Sequence, residues 1–211
     1  MCFLRGTKIR TVDGYRAVES LSVGDLLPTV FSGAAPIRAI RLFCYERQGP
    51  DEAWPVVARP VRIRASALAD NVPHTDLYLS RQHSLYIDGA LTPAWNLVNG
   101  TSITVDDAGH LDVIEYFHIK LDRHDVIEAE GTPCDTLWEP AGNAVAGGKG
   151  VEHDGSVVPG VCAPLRDYRN RSNLIKSRLR SALSPLVDLR RPLDRIRDRI
   201  EERTPQATLG C

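Results

Sequence analysis

Cys2-Phe3-Leu4-Arg5-Gly6-Thr7-Lys8-Ile9-Arg10-Thr11-Val12-Asp13-Gly14-Tyr15-Arg16-Ala17-Val18 stands at the head of the chain and reads as β structure. Thr7–Val12 and Tyr15–Val18 flank Asp13-Gly14. That pair is a two-residue hairpin signal, because both turn positions need positive φ, which Gly and Asp tolerate. Further along, Val61-Arg62-Ile63-Arg64 alternates apolar and polar residues as a half-buried strand does. Leu77-Tyr78-Leu79 and Leu85-Tyr86-Ile87 are short strands, the second ending at Asp88-Gly89. Asp107-Ala108-Gly109 separates Ser102–Val105 from a longer run, Leu111–Leu121. Gln48–Pro60 holds three of the fourteen prolines and reads as a surface loop. Many short strands with regular turn signals predict an all-β fold, sandwich or barrel-like.

The character changes after Gly131. Gly142–Gly160 is rich in Gly, Val and Ala without periodicity and reads as a linker. Asn173–Leu183 and Leu186–Arg203 read as helices, with Leu189, Leu193, Ile196 and Ile200 on one stripe of the second. Arg166–Arg203 holds 12 Lys and Arg against 6 Asp and Glu, whereas the remainder holds 14 against 21. The chain of 211 residues, net charge −1, therefore divides into an acidic β body and a basic helical tail. Asp188, Asp194, Asp198, Glu201 and Glu202 interleave with the arginines. Such a face forms intrahelical ion pairs and is solvated rather than bound to nucleic acid or membrane. The apolar stripe packs either on the β body or on a second copy, which would make the tail a self-association surface.

No apolar run approaches the roughly 18–20 residues that cross a membrane, and Met1–Arg5 is too short in apolar residues for a secretory signal. A soluble protein is expected, its compartment left open. The five cysteines (Cys2, Cys44, Cys134, Cys162, Cys211) are odd in number and share no short metal spacing, so neither a disulfide framework nor a metal site is read from them. Cys44, Cys134 and Cys162 are expected as buried small apolar residues. No phosphate-binding loop, dinucleotide fingerprint or nucleic-acid-binding motif is present.

The opening block, Cys2-x-x-x-Gly6-Thr7-x-Ile9-x-Thr11-x-x-Gly14 followed by Val18-Glu19-x-Leu21-x-Val23-Gly24-Asp25, resembles the N-terminal block of Hint (hedgehog/intein) domains. Ser80-Arg81-Gln82-His83 resembles that family's T-x-x-H block, with Ser for Thr. Tyr116–Ile119, Asp122–Asp125 and Ala129-Glu130-Gly131 resemble its late block, with Asp125 where many inteins carry Asn. Leu97–Ile103 (L-V-N-G-T-S-I), the His124-Asp125 variant and Cys162-Ala163-Pro164-Leu165 resemble a bacterial subgroup of the family. The resemblance implies a Hint-type all-β module over 2–140, a linker and extension over 141–165, and a basic amphipathic helical tail over 166–203.

It also implies a chemistry. In such domains the first Cys attacks the carbonyl before it, turning an amide into a thioester by an N-to-S acyl shift. A thiol suits that step because its anion is accessible and strongly nucleophilic. The leaving amine needs a proton, which a His near its ordinary pKa can supply. The resemblance makes Cys2 the nucleophile, His83 the general acid oriented by Ser80, and His118 or His124 an auxiliary group. His118 stands near the family's catalytic Asp position, and His124 matches the late-block His. A Cys2 thiol beside a His would react faster near neutral pH than Cys44 or Cys134. His74, His110 and His153 carry no role. Cys2, His83, His118 and His124 could meet a zinc ion only if the fold brought them together, since the sequence shows no close ligand pair; no cofactor is implied.

The implied function is autocatalytic processing, a cysteine peptidase-like activity in cis on the chain's own upstream segment. Full splicing is not implied, because Asp125 replaces the Asn and no terminal His-Asn pair with a downstream nucleophile follows. If Met1 is the native start there is no passenger to release, and the alternative is a non-catalytic Hint-derived structural or binding module.

Overall fold

The computed structural model describes residues 2–47, 49, 52–138, 161–165, 171–185 and 188–203. The linker read over Gly142–Gly160 lies outside them. The strands in chain order are β1 (Phe3–Leu4), β2 (Lys8–Thr11), β3 (Gly14–Ala17), β4 (Leu26–Thr29), β5 (Gly33–Pro36), β6 (Ala39–Glu46) and β7 (Val61–Ile63). They continue with β8 (Leu77–Leu79), β9 (Ser84–Ile87), β10 (Ala90–Pro93), β11 (Ile103–Val105), β12 (Val113–Lys120), β13 (Val126–Ala129) and β14 (Thr132–Asp135). Two helices follow, α1 (Arg171–Leu183) and α2 (Pro192–Glu202). The fold is thus all-β with a small C-terminal helical tail.

The strands form two six-stranded sheets, ordered β11-β7-β8-β1-β12-β6 and β10-β9-β14-β13-β2-β3, with β4-β5 as a separate hairpin. β1 is short but central, antiparallel to both β12 (Phe3 opposite Phe117, Leu4 opposite Tyr116) and β8 (Phe3 opposite Leu79). Buried side chains of both sheets, among them Phe3, Ile9, Ile63, Leu79, Leu85, Phe117, Ile119 and Ile127, share one core. A smaller cluster on the other face of β1 joins Cys2, Leu4, Trp54, Ala58, Ile114 and Tyr116. The alternation is that of a strand whose successive side chains point to opposite faces.

Local chemistry explains the turns. Asp88 and Gly89 both have positive φ (48° and 77°), as do Glu130 and Gly131 (47° and 77°), which gives the twist that two-residue hairpin loops require. The first hairpin differs from expectation by one residue. Thr11 pairs with Gly14, so Val12 and Asp13 form the loop. The Thr11 hydroxyl closes it, accepting from Asp13 N–H and donating to Gly14 C=O at 3.1 and 2.8 Å.

The tail departs from its sequence reading in two respects, the start of its second helix and its ion pairs, which run between elements rather than within one helix. α2 begins at Pro192 rather than Leu186, because Pro suits the first helical turn, where its missing N–H costs nothing. Asp194 completes a capping box there. Leu189 therefore precedes the helix and is 60% exposed, while Leu193, Ile196 and Ile200 enter the main core. The stripe packs on the β body. The arginines are engaged by carboxylates and carbonyls: Arg180 by Asp194, Arg190 by Asp188 and Asp198, Arg199 by Asp88, and Arg197 by Asn96 C=O. No helix among the described residues is long and apolar enough to cross a membrane.

Two substitutions test this placement by denaturant unfolding. Leu193→Ala removes a core side chain and is expected to cost about 2–5 kcal/mol. Leu189→Ala should stay within about 0.5 kcal/mol of the parent. Equal costs at the two positions would contradict the docking of α2.

Candidate active site

Cys2 lies at the entrance to β1, and two hydrogen bonds tie its backbone N–H and C=O to the end of β8. Its backbone N–H donates to Ser80 Oγ at 2.7 Å, and Ser80 N–H donates back to Cys2 C=O at 2.9 Å. The chain then turns. His83 N–H donates to Ser80 C=O at 2.9 Å, the closing bond of a four-residue β-turn, and Ala94 N–H caps His83 C=O at 2.8 Å. The Ser80–His83 turn carries the chain from β8 in one sheet to β9 in the other, so both side chains sit where the sheets meet.

The two histidines nearest β1 occupy opposite faces. Continuing the β1–β12 register by one residue sets Cys2 opposite His118. Cys2, Ser80, Tyr45, Tyr116, Trp95 and His118 line a cavity of about 550 Å³. His83 lies on the core side, its ring 4.3 Å from that of Phe3 and wholly buried. The thiol thus faces His118, while His83 sits behind the backbone of β1.

Asp135, the last residue of β14, was not legible in the sequence. It is 2% exposed, and its Oδ1 accepts the Ser84 N–H at 3.0 Å. The same oxygen is 3.3 Å from His83 Nε2, and Oδ2 is 3.8 Å from His124 Nε2. Register explains the meeting: Val126, two residues after His124, pairs with Asp135, and Leu85, two after His83, pairs with Cys134. His124 Nδ1 accepts the Cys162 N–H at 3.1 Å. One carboxylate therefore lies between the T-x-x-H-like block and the late block. The only sequence signal for it is an acidic residue ending an otherwise uncharged strand.

Burial sets the protonation states. It pushes His83 down to about 4, against the pull of Asp135 and of the Cys2 backbone, and pushes His118 down to about 2. Both rings are neutral at pH 7, so His83 is not the ready-protonated acid that an ordinary His would be. Burial raises the Cys2 thiol above its usual value, although Ser80 pulls the other way. Cys134 is buried and raised well above the ordinary thiol range. Cys162 is half-buried and raised to about 12. Cys44 is exposed, contrary to expectation, because β6 is an edge strand whose residues from Arg41 onward face solvent.

Asp125 serves the framework. Its Oδ1 accepts N–H groups of Phe31 at 3.0 Å and Val126 at 2.7 Å, anchoring the β4–β5 turn. His74 packs over Gly131, where an added Cβ would fall 2.5 Å from its ring. Among the described residues no group of three or more His, Cys, Asp or Glu is arranged to hold a metal ion.

Residues 1–141 match the family model of the Hint domain. Among solved structures, a DnaB intein from Synechocystis sp. PCC 6803 covers 65% of this chain and 99% of its own, at 10% identity and a TM-score of 0.46. The gp41-1 intein covers 64% and 98%, at 12% identity and a TM-score of 0.44. A bacterial intein-like domain from Clostridium thermocellum covers 64% and 98%, at 13% identity and a TM-score of 0.42. No curated protein matches the chain.

Thiol labelling and pH titration check the electrostatics. Cys44 should be alkylated first at pH 7 and Cys2 slowly, the reverse of the order expected for a thiol beside a His, because Cys44 is exposed and burial holds the Cys2 thiol in its protonated form. His83 is depressed from 6.5 to about 4, so between those values the unfolded chain binds more protons than the folded one. Stability therefore falls as pH drops from about 6.5 toward 4 and is flat above that window as far as His83 is concerned. A His83 ring that titrates near 6.5 by NMR would contradict its burial.

Proposed function

The chain belongs to the Hint domain family, and from that premise we propose that it processes its own polypeptide by an N-to-S acyl shift at Cys2. The result is cleavage or acyl transfer of an upstream segment. What supports this most is the 2.7 Å bond from Cys2 N–H to Ser80 Oγ, because that nitrogen is the one that must leave. The Ser80 oxygen already accepts that N–H, so it holds the nitrogen in place and needs little reorganisation as the nitrogen gains positive charge on protonation.

The reaction needs one proton moved off sulfur and one moved onto nitrogen. The Cys2 thiol gives up its proton to solvent through the cavity it lines with His118, whose neutral ring is the auxiliary polar group on the thiol's side of β1 and too weak a base to hold that proton. The thiolate attacks the carbonyl carbon of the preceding residue, giving a tetrahedral oxyanion. The C–N bond breaks, its electron pair stays on the Cys2 nitrogen, and that nitrogen takes a proton from the minor protonated form of His83, which draws it from solvent to replace the one the thiol gave up. Asp135, 3.3 Å from His83 Nε2, compensates the charge while His83 carries that proton. The sum is proton-neutral and needs no cofactor. Water or an added thiol then opens the thioester. His124, whose Nε2 is 3.8 Å from Asp135, acts through that carboxylate rather than at sulfur. Asp125 holds two backbone N–H groups, and splicing is not part of the proposal.

One observation favours a non-catalytic module instead. The Cys2 thiol is buried and raised, so at rest it is protonated and weakly nucleophilic. A single experiment separates the readings. With a folded passenger and a short flexible segment placed before Cys2, an added thiol should release the passenger slowly. Cys2→Ala should abolish release, Cys2→Ser should slow it severely, and His83→Ala should cost about 10²–10⁴-fold. A folded fusion that stays intact for days in thiol would establish the non-catalytic module.

A further inference from the structure

The segment 161–165 follows the β body in the chain yet reaches back to the site. Leu91 N–H donates to Pro164 C=O at 2.8 Å, and Leu165 forms a parallel bridge with Leu91. Ala163 is buried with Leu91 and Val126. This docking delivers one backbone donor, the Cys162 N–H, to His124 Nδ1 at 3.1 Å.

That contact decides where the His124 proton sits. A neutral imidazole has one N–H and one acceptor, and the bond at one nitrogen fixes the state of the other. With Nδ1 accepting, the proton is on Nε2, the atom that faces Asp135 Oδ2 at 3.8 Å. The other carboxylate oxygen takes the Ser84 N–H and faces His83. The two oxygens are thus divided between the two histidines. His83 Nδ1 makes no completed hydrogen bond among the described residues, although the ring is wholly buried. His83 Nε2 and His124 Nε2 likewise complete no hydrogen bond, so each ring faces its Asp135 oxygen without bonding it at rest.

We propose that the docked 161–165 segment positions the site's carboxylate: the Cys162 N–H fixes His124 as the Nε2–H tautomer, and the His124 and His83 rings hold Asp135 between them. This assignment rests on the processing reading above. The role belongs to the Cys162 backbone and not to its thiol. Without the segment, His124 Nδ1 loses its donor, the ring becomes free to carry its proton on either nitrogen, and Oδ2 loses the dipole that orients it. His83 then loses the fixed partner it needs while it carries a proton. Second partners of this kind, acting through another side chain, govern orientation rather than chemistry.

Nitrogen-15 NMR of the histidine-labelled full chain tests the tautomer directly. The expected spectrum has His124 Nδ1 as an unprotonated acceptor and Nε2 protonated. Cys162→Pro removes the N–H and should mix the tautomers, whereas Cys162→Ala keeps the N–H and should keep the spectrum. Leu165→Asp, which undocks the segment by another route, should act as Cys162→Pro does. In the passenger fusion both disruptive changes should slow thiol-induced release about 10–100-fold, as misplacement near a reacting centre does. His124 protonated at Nδ1 in the unmodified chain, or a spectrum unmoved by both Cys162→Pro and Leu165→Asp, overturns the proposal. An unmodified fusion that never releases its passenger, with His124 in the expected tautomer, sinks the processing reading and supports the tautomer assignment.

Discussion

The reciprocal pair of hydrogen bonds between Cys2 and Ser80 is the constraint on which the site depends. One bond holds the Cys2 amide nitrogen and the other its carbonyl oxygen, so the Cys2 backbone is fixed on both sides of its Cα, in the peptide unit before it and in the one after. β1 is only two residues long, Phe3–Leu4, and by itself could not hold the Cys2 backbone in place. Its position between β8 and β12 and the Ser80–His83 turn do so. Because that turn is also the passage from one sheet to the other, the contact between sheets and the geometry of the candidate centre are one feature. A change that separates the sheets would misplace the amide.

The same placement divides labour across β1. Strand alternation sends the Cys2 thiol into the cavity with His118 and leaves His83 on the core side against Phe3. Burial makes both rings neutral and keeps the thiol protonated. In a low-dielectric interior a free charge is costly, so protons must pass between neutral groups with a carboxylate near enough to compensate the transient ion. In the proposed reaction Asp135 would be that carboxylate. It is held in turn by Ser84 N–H, and it faces His83 with one oxygen and His124 with the other.

Much of this was legible in the sequence because its signals were local. Alternation and Asp-Gly turns marked the β body, and the spacing of Cys2, Ser80, His83 and His124 within recognisable blocks marked candidate residues. Two of the errors share a cause, which is information carried by pairing between distant strands; the other two are local. Cys44 stands in Ala39–Glu46, a run apolar enough to read as buried, yet β6 has a neighbour on one side only and its residues from Arg41 onward are exposed. Asp135 carries no motif, and only the pairing of β14 with β13 and β9 sets it between two histidines. Leu189 fitted the helical stripe, but Pro192 starts the helix beyond it. The one-residue shift of the first hairpin came from the Thr11 hydroxyl, whose bonds across the turn outweighed the Asp13-Gly14 preference.

The central claim is that the bond before Cys2 passes through a thioester on the Cys2 sulfur. The most direct measurement is the chemical identity of the released passenger's C-terminus, read by intact-mass spectrometry after treating the fusion with hydroxylamine. A passenger ending in a hydroxamate, formed only when Cys2 is present, is the result the account predicts, because hydroxylamine intercepts thioesters and leaves ordinary amides intact. A passenger ending in a free carboxylate at the same rate with or without hydroxylamine, or an untouched fusion, would contradict it.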